Sequence, residues 1–237
     1  MRAQRRRVPL AVSPTGRDST ATDSTTWAAP RATARAVETR FARLTGESWM
    51  QLPAPIRRRF SRHLADGERT VYLGEVAATR MTRVGRLIAQ LARVVGAPLP
   101  LEAGGRVPVT VIVTGSERLR GQVWTRVYDR ASGFPQVIQS LKRFGGATGL
   151  EEIVARGVGM RLRLKVRDGA LVFRSAGYFI RCLGVQFSLP NWLTPGVIEV
   201  IHREESCGQF SFSLSVRHLW AGNVIDQIAF FREEQSS

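Results

Sequence analysis

The sequence predicts an α+β fold: a curved antiparallel β-sheet or partly closed β-barrel of about nine strands, covered by N-terminal helices. The clearest sign is the run Val158 to Arg167. There Val158, Met160, Leu162, Leu164 and Val166 alternate with Arg161, Arg163, Lys165 and Arg167, and Asp168-Gly169 follows at once. A half-buried strand entering a two-residue hairpin has this pattern. Such a turn sets the register, pairing Val166 with Leu171, Leu164 with Phe173, Leu162 with Ser175 and, on the opposite face, Arg163 with Arg174. The second sign is the stretch after Arg106, where short alternating runs are separated by turn residues. The third is the segment before it, whose large apolar residues recur at helical spacing.

Residues 1–35 are rich in Ser, Thr, Ala and Arg and almost free of large apolar side chains, the composition of a disordered basic arm. Residues 36–105 are expected as a helical segment packed on the sheet, forming one domain with residues 106–237. Its first helix carries Val37, Phe41 and Leu44. Leu52-Pro53-Ala54-Pro55 breaks it, and a short basic helix runs on through Ile56, Phe60 and Leu64 with Pro55 in its first turn. Residues 79–95 place Val84, Leu87, Ile88, Leu91, Val94 and Val95 on one face, Arg86 and Arg93 opposite, and Arg80 and Arg83 at the flanks. A helix of this kind packs its apolar face on the sheet, or lies on a membrane surface with its arginines among headgroups. Gly96 and Pro98 end it. The expected strands are Val107 to Thr114, Leu119 to Tyr128, Val137 to Arg143, Leu150 to Arg156, Val158 to Arg167, Ala170 to Cys182, Gly196 to Glu204, Gln209 to His218 and Val224 to Arg232. As a meander they enclose a cavity, with the helices over its open side.

A chain of 237 residues needs no metal or disulfide to stabilise its core. Cys182 and Cys207 lack metal-ligand spacing and read as reduced thiols of a cytosolic protein. The apolar run Val8 to Val12 is too short for a secretory signal, and no stretch reaches membrane-spanning length. The formal charge is +16, and lysine occurs only at Lys142 and Lys165. Residues 1–35 hold seven arginines and two aspartates, so most of the excess belongs to the body. A GC-rich genome accounts for arginine over lysine. It does not account for base over acid, which favours phosphates, acidic lipid or nucleic acid as partners. Nucleic acid is disfavoured, because the basic face of Val158 to Arg174 lacks interleaved aromatics for stacking on bases.

Few residues carry candidate chemistry. His202 continues the alternation of Ile198 and Val200 and falls opposite Phe212 on the core face. It is either a hydrogen-bonded core histidine or an acid, base or ligand donor facing a cavity. His218 falls near Gly196, too far along the strands to share a zinc ion, and neither a metal nor a cofactor is expected. Lys142-Arg143 and Glu151-Glu152 flank the turn Gly145 to Gly149, where they pair with each other or anchor a ligand carboxylate or phosphate. Glu151 and Glu152 point to opposite faces, one inward and one solvated, so they are no facing pair for glycoside chemistry. There is no Gly-x-Ser-x-Gly elbow, no readable Cys-His spacing and no glycine-rich phosphate loop after a strand. Tyr178-Phe179, Trp192 and Trp220 fall near strand ends, where amphipathic rings line the mouths of pockets.

Several motifs occur in order: KRFGGATGLEE (Lys142 to Glu152), Gly157-Val158-Gly159-Met160, Asp168-Gly169-Ala170-Leu171, Gly177-Tyr178-Phe179, Leu189-Pro190, Leu193-Thr194-Pro195-Gly196 and His202. In these the chain resembles a bacterial family described as a domain of unknown function, DUF4166, over about Leu44 to Glu233. In that family the domain occurs alone or joined to NAD(P)-binding proteins that look like saccharopine dehydrogenases or short-chain, epimerase-like reductases. The resemblance therefore implies a reductase partner, and it brings no established activity. The positions it carries over as candidates are Trp124, Arg126, Lys142, Arg143, Glu151, Glu152, Tyr178, His202 and His218. Leu219 stands where the family usually has proline, and Tyr128 where phenylalanine is common.

The leading functional reading is a non-catalytic module that holds an apolar or lipid-like ligand, oriented by Arg126, Glu152, Tyr178 and His202. It would be accessory to an NAD(P)-dependent reductase, with its arginine-rich exterior against an anionic surface. The expected location is cytoplasmic, with peripheral contact at the inner membrane face. The alternative is an enzyme, an isomerase, hydrolase or reductase component, in which His202 works with Glu152 or Tyr178 as acid and base. The two readings part on geometry: the enzyme requires these side chains to converge on one cavity, and a His202 sealed among phenylalanines defeats it.

Overall fold

The Asp168-Gly169 hairpin forms in the expected register. Both residues take positive φ, 51° and 69°, as a turn matched to strand twist requires. Val166 faces Leu171, Leu164 faces Phe173, Leu162 faces Ser175 and Arg163 faces Arg174. The structure is a computed structural model that describes residues 40–94, 99, 105–130, 133–154, 157–206 and 208–234. The basic arm, the stop at Gly96 and Pro98, and Cys207 lie outside the described residues.

The strands are β1 (Arg69–Met81), β2 (Val107–Ser116), β3 (Gly121–Tyr128), β4 (Gln136–Phe144), β5 (Leu150–Ile153), β6 (Val158–Arg167), β7 (Ala170–Cys182), β8 (Val185–Leu189), β9 (Val197–Glu204), β10 (Phe210–His218) and β11 (Gly222–Glu233). From β1 to β7 each strand pairs antiparallel with the next, β9 to β11 do likewise, β7 pairs with β9, and β11 pairs with β1. Ten strands thus close into a barrel, with β8 outside it. The expected partly closed sheet is a complete barrel, and two strands were not anticipated.

The first of these is β1, which lies within the segment 36–105 that was expected to be helical. Its most buried residues are Thr70, Tyr72, Val76 and Thr79, and Gly74 approaches so closely that a Cβ would stand 2.4 Å from the Phe231 ring. With two threonines and a glycine facing the interior, β1 shows no apolar stripe. The second is β8. It pairs only with the end of β7, Tyr178 to Cys182, whereas β9 pairs with Leu171 to Arg174 of the same strand. Both run antiparallel to β7, so β8 and β9 form one strand interrupted by the loop Pro190 to Gly196. That loop stands at the barrel rim.

The other end is plugged. A turn of 3₁₀ helix, Gly46–Gln51, and the helix Ala54–Ser61 follow the break at Pro53, with Pro55 in the first turn as expected. Trp49, Leu52, Ile56 and Phe60 are buried. The Phe60 ring lies 5.5 Å from Phe173 and 5.6 Å from Phe41, within the range in which aromatic pairs attract.

The helix Arg83–Val94 departs from its expected packing. It docks through its small residues: Ala89 is fully buried, and a Cβ on Gly85 would meet the Val224 carbonyl oxygen at 2.2 Å. Ile88 is half-buried, while Val84, Leu87 and Leu91 are exposed. The side with the larger apolar residues is therefore not the side packed on the sheet.

Truncating Phe60 removes the centre of the plug and leaves a void among Phe41, Phe173 and His202. Phe60→Ala is expected to lower unfolding stability by about 3–5 kcal/mol, measured by urea denaturation at neutral pH.

Candidate functional site

An eight-stranded barrel is just filled by its own inward side chains, and adding strands widens the interior. The interior here holds a cavity of about 660 Å³, within the size range of small-molecule sites. Its wall is largely apolar, with Val111, Ile138, Met160, Leu162, Phe173, Phe212, Leu214 and Phe231 among the lining residues. Toward the rim it meets Leu91, Ile180, Trp192, Leu193 and His218.

One polar cluster interrupts this wall. Trp124 and Arg126 on β3, Ser140 and Lys142 on β4 and Glu152 on β5 share the inward face, because Trp124 pairs with Ser140 and Lys142 with Glu152 across adjacent strands. Lys142 Nζ donates to Glu152 Oε1 at 2.8 Å, and Arg126 Nη2 lies 3.6 Å from the same oxygen. Arg126 Nη1 also donates to Ser140 Oγ at 3.2 Å. The Lys142 ammonium sits 4.6 Å from the Trp124 ring centroid, a cation–π contact.

Burial disfavours the charged form of Glu152, but the Lys142 and Arg126 charges and hydrogen bonds from Lys142 and Ser140 outweigh it and hold the carboxyl down at about 2. Desolvation lowers the Lys142 ammonium to about 8 against the pull of Glu152, and the Arg126 charge works in the same direction as burial. Two cations therefore share one carboxylate, leaving one positive charge uncompensated in the cluster. Trp124 Nε1 is buried without a hydrogen-bond partner among the described residues.

Of the residues expected to form a site, Trp124, Arg126, Lys142, Glu152, Tyr178 and His218 line the cavity, and Arg143, Glu151 and His202 do not. Glu151 corrects the expectation of a solvated carboxylate. It points outward yet is 2% exposed, beneath Arg143 Nη2 at 3.0 Å and Arg181 Nη2 at 3.7 Å.

His202 faces Phe212 across β9 and β10, as its alternation indicated. It is wholly buried, with ring centroids of Phe60, Phe210 and Phe212 at 5.2, 5.1 and 4.5 Å. Its Nε2 lies 2.8 Å from Arg59 Nη1. A guanidinium can only donate, so Nε2 accepts and the ring proton sits on Nδ1. Desolvation, then the Arg59 charge, push its pKa well below the usual histidine range. His202 is a neutral core histidine and takes no part in the cavity.

Tyr178 does line the cavity, but its hydroxyl donates to the Gly196 carbonyl at 2.8 Å, and burial raises its pKa. It ties the rim loop to β7. The acid–base set of His202 with Glu152 or Tyr178 does not assemble. Sequence reasoning missed Ser140 and Arg59. Ser140 was within reach, lying one alternation from Lys142 on β4. Arg59 was not, since its partners Glu204 and His202 are distant in sequence.

Glu152→Gln leaves Lys142 and Arg126 without a counter-charge and is expected to cost about 3 kcal/mol near neutral pH. The folded carboxyl sits below its unfolded value of 4.5, so its contribution is full above that pH and is lost as pH falls through about 2. Urea denaturation of both proteins should therefore show the wild-type advantage shrinking over that acid window.

No curated protein and no solved structure matches the chain. The family described as a domain of unknown function, DUF4166, matches residues 52–231, from the plug through most of β11. By that match, which takes in all the cavity-lining strands, the chain belongs to the DUF4166 family.

Proposed function

We propose that the barrel is a binding module for one acidic amphiphile, its chain in the apolar cavity and its anionic head on Arg126, Lys142 and Trp124. The observation that carries this reading is the uncompensated cation in a largely apolar wall. An ammonium and a guanidinium sharing one carboxylate keep donors to spare. A carboxylate or phosphate head would supply the missing charge and could accept from the unpartnered Trp124 Nε1–H. Ser140 extends the polar patch, and the apolar wall beyond it suits a hydrocarbon chain.

Catalysis is not part of this reading. The one carboxylate of the cluster is held by Lys142 and Arg126, and the buried His202 is sealed behind the plug. Glu152 is anionic at neutral pH and serves to hold the two cations in place.

Native mass spectrometry of the full chain, with solvent extraction, should find one bound amphiphile per protein. After delipidation, a fluorescent long-chain fatty acid is expected to bind more tightly than the alcohol of the same chain. Arg126→Met and Lys142→Met should each weaken fatty-acid binding by about ten- to a hundredfold and affect the alcohol far less. Equal affinity for acid and alcohol, or no binding of either, would overturn the proposal.

A further inference from the structure

Large apolar residues gather in solvent at the open end of the barrel. On the helix Arg83–Val94, Leu87 and Leu91 are 60% and 59% exposed. The rim loop adds Trp192 and Leu193, and the turn between β10 and β11 adds Leu219 and Trp220, all more than half exposed. These three pieces belong to one rim. The helix packs on β11 at Val224, just past the β10–β11 turn, and His218 before that turn lies against Gly196 at the end of the rim loop. Leu91, Trp192 and Leu193 also line the cavity.

This surface has a sign. Arg83, Arg86 and Arg93 are exposed on the helix, which contains no acidic residue, and none of the three forms an ion pair with a described residue. Exposed apolar side chains, two of them tryptophans, beside unpaired arginines match the layers of a bilayer with anionic headgroups. The buried small-residue side of the helix fits the same end, because it holds the element rigidly while freeing its larger apolar residues.

We propose that this rim docks on an anionic lipid bilayer, so that the cavity opens directly into the acyl region. The inference rests on the binding reading for its purpose, since an amphiphile could then enter without crossing water. A protein partner would need a face both apolar and acidic, whereas a bilayer containing acidic lipid supplies both everywhere.

The test uses the full chain with sedimented vesicles of phosphatidylcholine alone or mixed with phosphatidylglycerol. The wild type is expected to bind the mixed vesicles, with a blue shift of tryptophan fluorescence. The variant Leu87→Asp/Trp220→Asp changes two exposed residues that do not line the cavity, and circular dichroism checks its fold. It should bind these vesicles at least about tenfold more weakly, with fatty-acid affinity in solution unchanged. Arg83→Glu/Arg86→Glu should weaken binding to the mixed vesicles by about fivefold or more for each arginine. If the aspartate variant binds as well as the wild type, attraction of the basic chain in general explains the result and docking through this rim is refuted. Dimers of the wild type that the variant abolishes would make the rim a self-interface and refute it equally. A wild type that holds the fatty acid yet ignores vesicles would refute docking and leave the binding reading intact. Vesicle binding lost in the variant, without fatty-acid binding by either protein, would uphold docking and remove the binding reading.

Discussion

Closure of ten strands is the constraint on which the rest of this structure depends. A sheet joined edge to edge has no free edge to protect, but its circumference sets an interior that must be filled. Here the fill is uneven. Near one end the rings of Phe210, Phe212 and Phe231 pack with His202 and Phe60. Further along, the inward residues are mostly aliphatic and a cavity of about 660 Å³ remains. The cavity follows from strand number and from the placement of aromatics, and the rim loop and the helix Arg83–Val94 add Trp192, Leu193 and Leu91 to its wall.

That unevenness gives the barrel a direction. Arg59 reaches from the plug helix to His202 and Glu204, at 2.8 and 3.1 Å, and its guanidinium lies 3.8 Å from the Phe210 ring centroid. A cation placed so deep is tolerable because a carboxylate, a neutral imidazole and an aromatic face share its charge. The neutral form of His202 is part of the arrangement, since a protonated ring would face Arg59 as a like charge. The histidine that looked most like a catalytic group from its position on the core face is therefore a component of the seal.

Elements whose inward faces are uniformly apolar were legible in the sequence. The β6–β7 hairpin, the pairing of His202 with Phe212 and the place of His218 opposite Gly196 all follow from period-two alternation and turn chemistry. β1 was not legible, because glycine and threonine occupy its inward positions where Phe231 and Gln227 need room or a hydrogen bond. The packing of the helix Arg83–Val94 was misjudged for a related reason. Apolar periodicity marks the face that avoids water in general, whereas the sheet beneath admits only Gly85 and Ala89 at close approach. Glu151 escaped in the same way, since Arg181, which covers it together with Arg143, is a residue of β7 that no local pattern brings near.

The polar cluster shows why strand register matters more here than composition. Arginine is abundant throughout the chain, and on the outer surface two exposed arginines, Arg167 and Arg174, share the one carboxylate of Glu199. Inside, the same two-to-one ratio of cations to carboxylate recurs at Arg126, Lys142 and Glu152, where burial reduces the screening by water. On the surface the surplus charge costs little, because solvent and salt neutralise it. In the cavity the surplus costs more, and the lowering of Lys142 to about 8 still leaves it mostly charged near neutral pH. The proposed acidic head would meet that surplus and could accept from the Trp124 indole N–H, which has no hydrogen-bond partner among the described residues.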